Sequence, residues 1–324
     1  MEHRQIPFFD FDLSQTAEQR WKPIIDSFQN QLPALRQTLR GILAQYGMTV
    51  TALKPVYWLT PASKIIHYDE ICYIAERIGM EPFEILLVQL IYETSSACSV
   101  GVFKVQGQEL FFRTMDWPML FLKDITIGLN VQKNGVLIAK VTSWLGYVGF
   151  LTATSIDAST AKYTIAINYR RTQPMTTSAL FNNFIRTLSM NWPIGYLIRY
   201  VIESRLSIHH AEWLLGNANL ISPTYITLYV PKIKTVIFTR DPDRTVDKRN
   251  TDLVQTNCDC DKNEPDILWS IDRRRLMHEV ESMLHGTNDI KVERVLAKLM
   301  RNPIINNETI YVHYQYGDQY VSMV

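Results

Sequence analysis

Cys98-Ser99-Val100-Gly101-Val102-Phe103 is followed, after a Gly107-Gln108 turn signal, by Glu109-Leu110-Phe111-Phe112-Arg113 and then Thr114-Met115-Asp116-Trp117. Both runs are rich in β-branched and aromatic residues. With a glycine between them they read as two antiparallel strands of a hairpin. The hairpin brings Arg113 and Asp116 back towards Cys98. Charge set among Phe111, Phe112, Met115 and Trp117 has to be paired or put to use, because burying it alone is costly. A single cysteine is ordinarily a core residue, since free cysteine is among the most buried types. The two charges returned beside this one weigh towards a nucleophile.

Outward from the hairpin, strand texture continues through Leu120–Asn130, Gly135–Thr142, Val148–Ser155 and Tyr163–Tyr169, with Asn134-Gly135 as a second turn signal. Such short spacings suit antiparallel pairing better than crossover connections. Residues 177–217 read as two helices. Tyr225–Tyr229 and Thr235–Thr239 return to strand, Asp272–Leu284 and Ile290–Met300 to helix, and Thr309–Tyr316 is the expected last strand. Before Cys98 the chain reads as mainly helical. Segments start at Leu32, at Tyr68 with Gly79 as a stop, and at Pro82, whose helix shows a broad apolar face. Thr94-Ser95-Ser96-Ala97 is small and polar, and reads as a loop. A helical first third followed by strands, helices and strands implies stacked sheet and helix layers.

The 324 residues are enough for one large domain or two small ones. At 47% apolar and 20% charged residues the chain is not a disordered one. Lys+Arg is 33 against Asp+Glu 32, so no basic surplus calls for a nucleic acid. Four cysteines without a Cys-x-x-Cys exclude a disulfide scaffold and a thiol-disulfide enzyme. Cys258, Asp259, Cys260 and Asp261 have no histidine beside them and fall short of a four-ligand metal site. No cofactor is called for. The start of the chain shows no signal-peptide pattern, which makes the cytoplasm the default location, with signal-independent secretion as the alternative.

The hairpin residues resemble the catalytic signature of the acid ceramidase and N-acylethanolamine-hydrolysing acid amidase family. These are N-terminal-nucleophile cysteine hydrolases, distantly similar to choloylglycine hydrolases. The family pattern is a Cys-Thr-Ser strand followed by Gly-Arg-Asn-Met/Leu-Asp-Tyr/Phe. Here Cys98-Ser99-Val100 and Phe112-Arg113-Thr114-Met115-Asp116-Trp117 stand in those places. Trp144-Leu145-Gly146-Tyr147-Val148-Gly149 resembles its Gly-Tyr-Val-Gly strand, and Ile167-Asn168-Tyr169-Arg170 its Asn-x-Arg strand end. Thr256-Asn257 with Asp272-Arg273-Arg274 resembles its Thr-Asn…Asp-Arg-Arg block. The ordered match spans about residues 85–285. It departs at Tyr169, where acid ceramidases carry Glu, and at Cys258-Asp259-Cys260, which replaces Tyr-Asp-x-Trp.

The resemblance implies an α+β, four-layer αββα sandwich of two antiparallel sheets with flanking helices. It also implies autocleavage before Cys98. The products are a helical segment 1–97, retained as a subunit, and a catalytic segment 98–324 with a helical insert at about 177–217. Cys98 becomes nucleophile and, through its freed α-amine, base, so no histidine is needed. Asp116 orients that amine and Arg113 polarises the substrate carbonyl. Asn257 donates to the oxyanion, Arg273 organises the site, and Asn168 and Tyr169 lie beside the substrate. Trp117, Met119, Trp144 and Tyr147 are candidates for an apolar acyl pocket, each with ordinary core as its alternative. Trp192, Tyr196 and Leu197 are candidates for a lip contacting a membrane or micelle. The implied substrate is a lipidic N-acyl amide. Water opening the Cys98 thioester makes a hydrolase, and an amine opening it an acyltransferase. A member without the chemistry would serve as a lipid-binding or interaction protein.

Overall fold

The Cys98 hairpin sits in the middle of a sheet, covered on both faces. The computed structural model describes residues 4–93, 96–156, 162–170, 177–189, 191–259, 269–286 and 289–324, with the backbone alone for 177–180. In chain order the elements begin with β1 (Phe8–Asp12), α1 (Ala17–Ser27), α2 (Leu32–Gln45), α3 (Gly47–Leu59), α4 (Tyr68–Ile78) and α5 (Pro82–Ile91). Strands β2 (Ala97–Val105), β3 (Gln108–Asp116), β4 (Thr126–Lys133), β5 (Val136–Trp144), β6 (Thr152–Ser155) and β7 (Tyr163–Tyr169) follow. Helices α6 (Thr177–Leu188), α7 (Ile194–Glu203) and α8 (Ile208–Asn217) lead to β8 (Thr224–Val230), β9 (Lys234–Arg240), β10 (Thr245–Arg249) and β11 (Val254–Gln255). The chain closes with α9 (Ser270–Leu284), α10 (Val292–Leu299), β12 (Thr309–Tyr316) and β13 (Gln319–Met323).

The larger sheet has the order β1-β4-β5-β6-β7-β8-β9-β10 and the smaller β11-β2-β3-β12-β13. Val100, Val102 and Phe111 of the smaller sheet meet Ala166 and Tyr229 of the larger between the layers. On the outer face of the smaller sheet, Met277, Val280, Val295 and Leu299 of α9 and α10 cover Phe103, Phe112 and Val312. On the outer face of the larger, Trp21, Ile74, Leu87 and Leu197 share a core with Ile127, Val141 and Ile165. The result is the αββα sandwich. Burial on both faces is why β2 reads as a near-continuous apolar run instead of an alternating one.

The hairpin turn is Gln106-Gly107, one place earlier than the turn signal. Both residues have positive φ (50° and 75°), as do Asn134 and Gly135 between β4 and β5 (53° and 74°). That is the geometry a two-residue hairpin needs. Helix α4 buries Ile71, Ile74, Ala75 and Ile78 and ends at Gly79 with φ 76°, as its spacing predicts.

Several elements differ from the sequence expectation. The 120–130 run is not one strand. Leu120–Ile125 winds as a 3₁₀ turn that buries Leu122 and Ile125, three apart, and leaves Leu120 outside; the strand starts at Thr126. The 148–155 run pairs only from Thr152, because Gly146 turns at φ 81° and Phe150 gives its N–H to Gly195 instead of a strand. Residues 177–217 hold three helices, interrupted at Pro193 and again at Ser207, which caps α8 by accepting from the His210 N–H. The chain does not end on Thr309–Tyr316, since Gly317 (φ 58°) turns it into β13. The first 97 residues also contribute a strand, and β1 pairs parallel to β4, an exception in otherwise antiparallel sheets. Of the expected 94–97 loop, Thr94 and Ser95 lie outside the described residues, and Ala97 already belongs to β2. Among the described residues no helix is long and apolar enough to cross a membrane.

Candidate active site

Register places the site. β2 pairs with β3 so that Cys98 lies opposite Met115 and Ala97 opposite Asp116. On its other edge β2 meets β11, with Val254 opposite Gly101 and Gln255 opposite Val100. Continued by two residues, that register brings Asn257 to Cys98 across 159 residues of chain, and the Cys98 N–H donates to Asn257 Oδ1 at 2.7 Å. The first turn of α9 supplies Arg273. Its guanidinium donates to Asn257 Oδ1 at 3.0 Å, to Ser99 Oγ at 2.8 Å and to Asp116 Oδ2 at 3.1 Å. Two N–H groups on Asn257 Oδ1 fix which way the amide points, and its Nδ2 donates to the Tyr169 carbonyl at 2.7 Å.

Strand alternation divides the charges between two faces. Asp116, Thr114 and Ser99 face α9. There Thr309 of β12 donates to Asp116 Oδ1 at 2.6 Å. Cys98 and Arg113 face the larger sheet. Arg113 Nη2 is 3.7 Å from Cys98 Sγ and donates to the Ile167 carbonyl at 2.7 Å. Its Nη1 donates to the Leu151 carbonyl at 3.1 Å and to Thr152 and Tyr311. All of these side chains are buried. Burial pushes the Cys98 thiol up, and the adjacent Arg113 cation pulls it back down. Burial also raises the Asp116 carboxyl, against Arg273, Thr309 and Thr114, to about 6.

No protein-family model matches the chain. It is 38% identical to an uncharacterized protein of Acanthamoeba polyphaga mimivirus, over 99% of this chain and 100% of that one. It is 27% identical to the N-acylethanolamine-hydrolyzing acid amidase of Mus musculus, over 98% of this chain and 88% of that protein. It is 26% identical to the acid ceramidase of Balaenoptera acutorostrata scammoni, over 70% and 61%. The Caenorhabditis elegans N-acylethanolamine-hydrolyzing acid amidase ortholog has the same fold, with a TM-score of 0.55 at 24% identity over 68% of this chain and 92% of that one. Acid ceramidases and N-acylethanolamine-hydrolysing acid amidases are homologues of this chain. Its sandwich is the N-terminal-nucleophile hydrolase fold.

In this chain Cys98, Arg113, Asp116, Asn257 and Arg273 converge, but the contacts are not all those expected. The acceptor facing the Cys98 nitrogen is Asn257, while Asp116 is held by Arg273 and Thr309. Asn168 and Tyr169 lie under the nucleophile strand, not along an acyl pocket. Asn168 Nδ2 donates to the carbonyls of Cys98, Gln255 and Thr256 at 3.3, 3.0 and 3.4 Å, and Tyr169 offers its carbonyl to Asn257. Arg170, next in the chain, grips Asp259 with two hydrogen bonds of 2.7 Å and so fixes the loop carrying Asn257. Cys260 and Asp261 lie outside the described residues.

An apolar cleft lies near the nucleophile, with Tyr92 between it and the Cys98 sulfur. Trp117, Met119, Trp144 and Tyr147 line one wall, and Leu39, Ile42 and Val88 of the N-terminal helices line the other. The lip expected at 177–217 does not form. Tyr196 and Leu197 are buried in the core, and Trp192 packs on Tyr200. Sequence reasoning missed Thr309 and Tyr311. Their strand was legible, but its pairing with β3 depends on a register 190 or more residues away, and a lone Thr or Tyr carries no chemical signature.

Proposed function

We propose that this protein is a self-processing cysteine amidase. It hydrolyses the amide bond of an N-acylated lipid, of the ceramide or N-acylethanolamine class, to a fatty acid and an amine. The observation carrying this reading is the double placement of Cys98. Its nitrogen lies in the Asn257–Arg273–Asp116 network, and its sulfur lies on Arg113, with Tyr92 between it and an apolar cleft. The printed activities of the amidase and ceramidase relatives point to the same bond.

In the uncut chain the Cys98 thiolate attacks the Ala97 carbonyl carbon. The C–N bond breaks, the nitrogen gains a proton, and a thioester remains. Water opens it, leaving a carboxylate on Ala97 and an α-amine on Cys98. That amine has an ordinary pKa of about 7.7–8.0, so near neutral pH it takes the thiol proton. The thiolate then adds to the substrate carbonyl, and Arg113 supplies positive charge beside the sulfur. The ammonium proton goes to the departing amine, and water releases the acid. Asn257 Oδ1, already on this nitrogen, orients the amine. One Nδ2 hydrogen is taken by the Tyr169 carbonyl, which leaves the second as the donor to an oxyanion.

The test is intact mass of purified protein across pH, paired with fatty-acid release from an N-acylethanolamine and a ceramide. Fragments beginning at Met1 and Cys98, with acid release following the cut, are expected. Hydrolysis by an uncut chain would refute the mechanism. Added amines appearing in the product would replace the hydrolase by an acyltransferase.

Asp116 gives a separate prediction. As an anion it holds Arg273 and, through Arg273, Asn257. In fully cut enzyme Asp116→Asn should lower kcat on the order of a hundredfold. Wild-type kcat should rise as pH climbs through about 6, where this carboxyl ionises, and the variant should lack that rise. Equal pH profiles would remove Asp116 from the mechanism.

A further inference from the structure

Between the apolar cleft and the nucleophile stands a side chain from the N-terminal segment. Tyr92 follows the last turn of α5 and is buried. Its hydroxyl is 4.0 Å from Cys98 Sγ and 3.4 Å from the Ile167 carbonyl. Its ring lies edge-on to Trp117 and tilted against Trp144, with centroids 6.2 Å away in each case, and it lines the cleft with them. Arg113 Nη2 shares both neighbours, the Ile167 carbonyl and the sulfur. The two holds on that carbonyl are unequal. The Arg113 bond is 2.7 Å, whereas the Tyr92 contact is long and weak. A hydroxyl held so loosely on a carbonyl turns readily to a stronger acceptor beside it, and a thiolate is one.

We propose that Tyr92 is a catalytic residue of this site, donating a hydrogen bond to the Cys98 sulfur as the thiol becomes a thiolate. This rests on the amidase reading of Cys98. The thiol proton goes to the α-amine; Tyr92 keeps its own proton and shares it with the sulfur. Burial holds this hydroxyl well above the ordinary tyrosine range, so it remains a donor throughout the working pH range. The ring closes the cleft next to the sulfur, which sets the depth an acyl chain reaches when its carbonyl meets the nucleophile. A cut before Cys98 would leave this hydroxyl on the N-terminal piece. That piece then carries part of the chemistry as well as a wall of the cleft, and neither piece holds a complete site alone.

The test compares wild type with Tyr92→Phe, which keeps the ring and removes the donor. In fully cut enzyme kcat on an N-acylethanolamine should fall on the order of ten- to hundredfold, the loss typical of a hydrogen bond to a charged group. KM should be unchanged. A second readout does not need hydrolysis. N-dodecyl iodoacetamide, which carries an apolar chain, alkylates Cys98 through its thiolate; intact mass follows the rate against pH, with Cys98→Ala as the blank. The alkylation midpoint should move to higher pH by about one unit in Tyr92→Phe. Overlapping alkylation profiles would overturn the proposal even if hydrolysis is normal. A wild type that hydrolyses no N-acyl amide would defeat the amidase reading, and the alkylation profiles would still decide the Tyr92–sulfur contact. Tyr92→Leu, which shortens the cleft wall, should shift preference towards longer acyl chains; unchanged chain-length preference would remove the depth-setting role.

Discussion

Cys98→Ala is expected to stay in one piece and to lose amide hydrolysis to background, a fall on the order of 10⁶-fold, as when other hydrolases lose their nucleophile. The loss should be complete because one residue does three jobs. In the proposed mechanism the sulfur opens the chain, the nitrogen that this frees becomes the base, and the same sulfur then takes the acyl group. The arrangement around Cys98 offers no substitute. Arg113, Asn257 and Arg273 are donors or neutral groups with no nucleophilic atom, and Asp116 lies across the sheet from the sulfur's face. Cys98→Ser sharpens the test. It keeps a hydrogen-bonding group of similar size but replaces a thiol by a far less acidic hydroxyl, so the cut should slow markedly while the fold is kept. Mass spectrometry of both variants after the same incubation, with melting temperatures as a folding control, reads the outcome. An alanine variant that still yields a fragment beginning at residue 98 would mean that a contaminating protease makes the cut.

The same site shows what a sequence can and cannot disclose. Cys98, Arg113 and Asp116 lie within one hairpin, and a hairpin is a local object whose turn residues and alternation can be read directly. Asn257 and Arg273 became visible only because their neighbours match a family pattern, since nothing in Gln255-Thr256-Asn257 announces a two-residue strand. The short β11 is decided by pairing with β2, and β1 by pairing with β4, so both depend on tertiary partners that local propensity does not report. The amide of Asn257 was legible as a residue but not as an orientation. That orientation is set by two donors, one from the Cys98 backbone and one from α9. The cleft was half legible. Its wall after Asp116 is a run of large apolar residues, whereas the opposite wall comes from three separate helices whose apolar faces look like ordinary core.

Replacing Glu70 should cost more stability than any surface change. This carboxylate of α4 is fully buried and receives four hydrogen bonds. Arg199 donates two, at 2.8 and 2.6 Å, Arg20 donates one at 2.5 Å, and Trp21 Nε1 donates one at 2.6 Å. Arg199 also donates to the Val148 carbonyl at 2.8 Å and to Glu203 at 2.5 Å. Burial alone would raise the Glu70 carboxyl, but the two guanidinium groups overcome it and hold the group at about 2. Glu70→Gln keeps the shape and removes the charge, leaving Arg199 and Arg20 without it inside the core. Breaking one side of a buried pair costs about 3–5 kcal/mol, which corresponds to a fall in melting temperature of roughly 5–10 °C. The sign with pH follows from the lowered carboxyl. Its contribution is complete above the unfolded value near 4.5, declines below it, and is lost as pH falls through about 2. The position of this network matters for the cut as well. Arg20, Trp21 and Glu70 precede the bond before Cys98, while Val148, Arg199 and Glu203 follow it. The network therefore spans the two pieces that cleavage would leave, as does the β1–β4 pairing. Wild-type pieces should co-elute in size-exclusion chromatography after the cut. Glu70→Gln pieces should separate at lower temperature or lower urea, and a second change, Arg199→Met, should recover part of the loss by removing the stranded charge. A Glu70→Gln protein that melts within about 1 °C of wild type would show that this cluster does not hold the pieces together.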